Sequence, residues 1–244
     1  MPSKTTKSFQ ATRQPANPPI RQLIITIDGP AGVGKSTVAK TLAKRLGLLY
    51  LDTGATYRAV AYETLLRGHD PRCEADVVRV ARRIRLRLEQ SAANGLIVRL
   101  NGQDVTRQIR TESVTEAAAI IAQHPRVRAT LVRLQRRLAR GVRIVVEGRD
   151  TGSVVFPRAP FKFFLTARAG VRAQRRQHEL RTLHGRSPSV RTIAQQLKMR
   201  DELDRRRRVG PLIKPAQAVV VDTSRRSVHD VVERLLQHLP HPSR

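Results

Sequence analysis

The sequence predicts an α/β fold: a five-stranded parallel sheet flanked by helices, interrupted by an inserted antiparallel subdomain, with a pair of helices toward the C-terminal end. Three observations predict it. Short apolar runs rich in β-branched residues alternate with helical patterns, as in a parallel sheet covered on both faces. A glycine-rich loop joins the first run to the first helix. Between Gly68 and Gly141 the pattern changes to two-residue alternation with Asn-Gly pairs, the mark of hairpins, which a parallel sheet does not contain.

The core strands are expected at 23–27, 48–51, 142–147, 161–165 and 218–221. Leu23-Ile24-Ile25-Thr26-Ile27 runs into Gly29-Pro30-Ala31-Gly32-Val33-Gly34-Lys35-Ser36, which fits G-x-x-x-x-G-K-[ST]. Ser36 to Leu46 then has helical spacing through Val38, Ala39, Leu42, Ala43 and Leu46. Strand, glycine-rich loop, helix is the context of a phosphate-binding P-loop NTPase. The glycines let successive N–H groups turn inward toward phosphate oxygens. The helix start adds its dipole and unpaired donors. Lys35 brings a point charge to the terminal phosphates and Ser36 offers a hydroxyl to Mg²⁺.

The second strand leads into Asp52-Thr53-Gly54-Ala55-Thr56-Tyr57-Arg58, which sets two hydroxyls, a carboxylate and a guanidinium beside the loop. An Arg there suits a phosphate acceptor, because its planar fork grips phosphate oxygens in two places. In the insert, Arg83 to Glu89 alternates as a half-exposed strand. Asn94-Gly95 and Asn101-Gly102 are expected to turn hairpins on either side of Leu96 to Leu100. Thr111 is expected to cap a helix running to about Gln123, Pro125 to open another, and Gly141 to end it. The third core strand enters Glu147-Gly148-Arg149-Asp150-Thr151-Gly152-Ser153-Val154-Val155-Phe156-Pro157. Residues 168–208 read as two helices around Gly185-Arg186-Ser187-Pro188. The last strand leads to a helix from Ser227 to Leu239. Residues 1–20, with four prolines and no acid, read as a disordered basic tail. The core is then 21–69 with 141–240, and the insert is 70–140.

Composition sets the weight of each motif. The chain of 244 residues carries a net charge of +28, enough to attract polyanions. Its 39 arginines are spread throughout, so a matching Arg means little, whereas there are only ten aspartates. Aromatics are 3% with no Trp, so no base-stacking platform for nucleic acid is evident. Nucleic acid is expected to bind only nonspecifically, through charge. Cys73 is alone, which excludes an internal disulfide and suits a reducing cytoplasm. No apolar run approaches the roughly 18 residues of a membrane span.

Four segments taken together resemble the bacterial-type cytidylate kinases: the glycine-rich loop with Asp28 ahead of it, Asp52 to Arg58, Glu147 to Pro157, and Arg200-Asp201-Glu202-Leu203-Asp204-Arg205-Arg206-Arg207 followed by Pro211-Leu212. The resemblance covers about residues 22–238. It implies transfer of the ATP γ-phosphoryl group to CMP or dCMP with Mg²⁺, by a protein expected to be monomeric and cytoplasmic. Gly29 to Ser36 and Thr37 would bind ATP, together with Arg172 and Arg176 from a helical lid within about 168–208, and Ser36 would touch the metal. Asp52, Thr53, Tyr57 and Arg58 would flank the acceptor. Arg149, Arg200 and Arg207 would hold its phosphate and, with Lys35, the transferring group. Asp150 and Arg128 would read the cytosine edge, and Asp204 the ribose. Three positions depart from the family pattern: Ala119 stands where a Ser often contacts the base, Arg158 where an acid is common, and Thr151 where Ile or Met is usual. Two other classes fit the P-loop alone: another small-molecule P-loop kinase, and a basic NTPase stimulated by nucleic acid.

Overall fold

A computed structural model describes residues 23–91, 95–185 and 187–240. The expected tail at 1–20, the turn residue Asn94 and Arg186 lie outside these residues. Five strands form one parallel sheet: β1 (Ile24–Asp28), β2 (Leu49–Asp52), β6 (Ile144–Glu147), β7 (Phe161–Thr166) and β8 (Val219–Asp222). Their order is β2-β6-β1-β7-β8, and all four pairings are parallel. Each of the expected core strands is present, shifted by a residue or two at most of its ends.

The order places β1 at the centre, with Ile25 and Ile27 fully buried. The chain leaves β1 through the glycine-rich loop into α1 (Lys35–Leu46) and leaves β2 into α2 (Thr53–Leu66). It leaves β6 through a single helical turn at Thr151–Val155. All three exits lie at the carboxyl ends of adjacent strands, where ligands bind in open α/β sheets. The side chain of Asp52 starts α2 by accepting from Ala55 N at 3.0 Å.

A separate antiparallel sheet holds β3 (Leu86–Ser91), β4 (Gly95–Leu100) and β5 (Gln103–Asp104). Asn101 and Gly102 both have positive φ, 51° and 93°, as the expected Asn-Gly hairpin turn requires. Gly95, expected in a turn, instead pairs with Ser91 inside the sheet. The strand expected from Arg83 begins three residues later. Arg83 closes α3 (Glu74–Arg83), a helix that sequence reading passed over. Val77, Val78, Val80 and Ala81 bury its apolar side, and the alternation that follows conceals where it stops. The next helix, α4 (Glu112–Ile121), does start after Thr111. However, the Thr111 hydroxyl donates back to Gln108 O at 3.2 Å and does not cap the helix, which also ends two residues early. Pro125 opens α5 (Pro125–Leu138) as expected.

Insert and core share one continuous apolar cluster, from Ile25 and Leu42 through Ala59 to Val98, Ile109 and Leu131. After β7 come α6 (Ala169–His184) and α7 (Val190–Arg206), and α8 (Val228–Leu236) follows β8. The expected helical pair is therefore present. Ser227 and Asp230 form a reciprocal capping box at the start of α8, and Arg45 of α1 pairs with Glu233 of α8 at 2.7 Å.

Candidate active site

One cleft of about 870 Å³ runs along the carboxyl edge of the sheet. The glycine-rich loop forms one end. Gly29 has φ 145°, and a Cβ there would collide with the backbone of Leu165 on β7, so only glycine lets the loop leave the sheet at this point. Ala31 to Thr37 line the cleft; Gly29 and Pro30 lie behind it. Lys35 is buried, and its Nζ donates to Pro30 O at 2.7 Å. Burial, with Arg149 nearby, pulls its pKa down to about 7.

Ser36 Oγ donates to a Glu147 carboxylate oxygen at 2.5 Å, and Tyr50 Oη donates to the same oxygen at 2.9 Å. Among the described residues no group of three or more His, Cys, Asp or Glu side chains is placed to hold a metal ion. Ser36 and Glu147 are hard oxygen donors beside the loop, a pair that fits Mg²⁺. That ion binds through one or two carboxylates and completes its shell with water and substrate phosphates. Glu147 was not singled out from the sequence, although a carboxylate closing a buried strand beside the loop was a readable signal.

The other end of the cleft is built from paired charges. Asp52 binds Arg58 at 2.6 Å. Burial opposes the Asp52 charge, but Arg58, the Ala55 N–H and Arg110 together outweigh it and hold the carboxyl below its ordinary range. Arg128, 1% exposed, pairs with Asp150 and lies 5.6 Å from the centre of the Tyr57 ring. Arg149 Nε donates to Asp204 at 2.9 Å, and Arg207 pairs with the second oxygen of that carboxylate. Gly210 covers the Arg128–Asp150 pair at φ 63°; a Cβ there would strike both side chains. Burial and the charges of Arg149, Arg58 and Arg176 push Arg200 down to about 9, so it stays protonated at neutral pH. Buried Nε groups of Arg58, Arg128 and Arg207 lack a hydrogen-bond partner among the described residues.

The expected residues therefore converge, with a difference in the lid. Arg176 lines the cleft and pairs with Glu179 at 2.9 Å. Arg172 does not line it; its guanidinium binds Asp201 at 2.6 Å and Ala31 O at 3.1 Å. Arg175 donates to Thr223 Oγ1 and O. Ala119 lines the cleft, as do Thr115 one turn earlier and Arg110, two residues the sequence did not single out. Arg110 was hidden by the abundance of arginine. Thr115 precedes Ala119 by four residues on α4, a helical spacing that points both to one side.

The sequence matches the family model for cytidylate kinase over residues 25–241. It is 44% identical over 217 residues to a cytidylate kinase of Geobacillus kaustophilus, covering 89% of this chain and 96% of the relative. It is 43% identical over 213 residues to one of Caldanaerobacter subterraneus, covering 87% and 92%. With a glycine-rich loop at one end of the cleft, paired aspartates and arginines at the other, and likeness along nearly its whole length, the chain belongs to the cytidylate kinase family.

Proposed function

We propose that the protein transfers the γ-phosphoryl group of ATP to CMP or dCMP, giving ADP and CDP or dCDP. The observation that carries this reading is the single cleft joining the glycine-rich loop to the Arg128–Asp150 and Arg149–Asp204–Arg207 pairs. Donor and acceptor sites share one space, as direct transfer between two bound nucleotides requires.

Ala31 to Thr37 hold the ATP phosphates through backbone donors, with Lys35 on the terminal groups, while Gly29 and Pro30 shape the loop from behind. Arg176 adds charge from the lid. The Arg172 ion pair supports a different contribution, holding the loop in shape. Ser36 and Glu147 would hold Mg²⁺ with the phosphate oxygens; when bound, the ion neutralises charge on the β- and γ-phosphates. Arg58, Arg149, Arg200 and Arg207 meet the acceptor phosphate and the transferring group. The partnerless Nε donors of Arg58 and Arg207 support this assignment, because buried donors ordinarily have acceptors. Asp150 and Arg128 face the cytosine edge, where an amino donor lies beside acceptors. Asp52, Thr53 and Tyr57 shape the floor beneath the acceptor, and Asp204 serves the ribose. The protein works as a monomer in the cytoplasm, and binds nucleic acid only through unspecific charge.

A coupled assay with CMP, dCMP, UMP, AMP and RNA as candidate acceptors tests the reading. Turnover with CMP and dCMP and none stimulated by RNA is expected. ATP hydrolysis driven by RNA, with no CDP formed, would overturn it.

A further inference from the structure

We infer that Thr151 and Asp28 form a staple that positions the acceptor-reading residue Asp150, making Thr151 a positioning residue for CMP; the inference rests on the reading of the cleft given above. Asp28 closes β1 and is fully buried. Its carboxylate takes three hydrogen bonds from a segment 123 residues away. Oδ1 accepts from Thr151 N and from Thr151 Oγ1, both at 2.8 Å, and Oδ2 accepts from Gly152 N at 2.7 Å.

Thr151 opens the helical turn that follows β6. The first N–H groups of such a turn have no partner within it. Asp150, in the capping position, makes no side-chain cap of its own, because its carboxylate is turned to Arg128. Asp28 supplies the missing cap from another strand. This division of labour frees Asp150 to face the acceptor while the backbone on its carboxyl side is fixed. Gly152 admits the approach: a Cβ there would meet Thr26 Oγ1 at 2.8 Å and Asp28 at 3.3 Å.

The Thr151 hydroxyl is the part of the staple that varies with sequence, since any residue supplies the two N–H donors. An aliphatic side chain at 151 would leave Asp28 one donor short. Burial already pushes Asp28 up to about 6, against the pull of those bonds and with the charge of Asp150 adding to the rise. The other charged groups facing it are Lys35 from α1 and Arg149 beside Asp150. Losing a donor to the ionised form raises the Asp28 pKa further. The acid limb of CMP use then moves to higher pH.

Steady-state kinetics on wild type, Thr151→Val and Thr151→Ser, between pH 5 and 8, tests the staple. Wild type without CMP kinase activity would sink the functional reading itself. With an active wild type, Thr151→Val is expected to raise the CMP KM about three- to tenfold, the scale of one lost net hydrogen bond. The ATP KM stays unchanged and the acid limb shifts upward, while Thr151→Ser restores both. An unchanged CMP KM, or equal rises for CMP and ATP, would overturn the inference. If Thr151→Val does not fold, Thr151→Ala against Thr151→Ser gives the same comparison, differing only in the hydroxyl.

Discussion

The donor end of the cleft is made mostly of backbone, and the acceptor end mostly of side-chain ion pairs. At the donor end, glycines and the start of α1 present N–H groups, and the one buried lysine rests on a carbonyl oxygen. At the acceptor end, Asp52, Asp150 and Asp204 are each already joined to arginines. Backbone donors cannot be exchanged by substitution and fit any polyphosphate. Paired side chains are costly to bury singly, yet they hold one another in fixed geometry, which in the proposed function suits them to one base and one sugar. Generality is therefore built from main chain, and selectivity from side chains whose charges are balanced before the ligand arrives.

Lys35→Ala is the harshest test of the donor end. One preorganised charge on the transferring group is worth at least about a hundredfold in turnover, with the fold intact by circular dichroism. A folded variant of near-normal activity would remove the lysine from the comparison. At the acceptor end, Asp150→Asn leaves Arg128 buried beside a neutral amide. Truncating such a pair costs about 2 kcal/mol or more, or roughly thirtyfold in CMP KM. ATP affinity should hold; its collapse would show that the two ends are not separable.

The buried lysine also gives the donor end a pH signature. Unfolded, Lys35 titrates near 10.5, and folded it titrates near 7. Between these values the unfolded chain carries the extra proton, so stability rises with pH, by at most roughly 1.4 kcal/mol per unit. Chemical denaturation from pH 7 to 9 should show wild type gaining on Lys35→Met across that window. Parallel curves would mean that the lysine is solvated in the empty site.

Ala119→Ser is the mildest test. Ala119 lines the cleft, and the hydroxyl of Thr151 is committed to Asp28. An added hydroxyl is therefore expected to tighten CMP binding about two- to tenfold, the worth of one net hydrogen bond, and to leave ATP alone. Kinetics with CMP and UMP side by side measure it. An unchanged CMP KM would mean that Thr115, one turn away, already serves the base.

How far the sequence spoke differs between the same two ends. The glycine loop, its flanking strand and helix, and the order of core elements were legible, because local sequence dictates each. The insert was partly legible: Asn101-Gly102 announced its turn, while α3 ran into β3 without a Gly or Pro to separate them. The acceptor residues could be named only through the rare aspartates, since arginine occurs everywhere along the chain. Their pairing could not be read. Arg149 and Asp204 are 55 residues apart, and Asp28 meets Thr151 across 123. Arg172 shows the same limit. The resemblance grouped it with Arg176 as a charge of the lid, but only the packing of α6 on α7 brings Asp201 to it.

That Arg172 contact has a mechanical consequence. One guanidinium joins α6, α7 and the carbonyl of Ala31, so the helical pair is pinned at its root to the glycine-rich loop. Swinging the whole pair as a rigid flap would carry the Arg172–Asp201 ion pair along but break the bond to Ala31 O. A motion pivoting at the pin would not: it carries the stretch of α6 beyond Arg172, roughly 18 Å at 1.5 Å per residue, like a lever on a fixed fulcrum. A small change in the loop at the short arm is then magnified at the far tip.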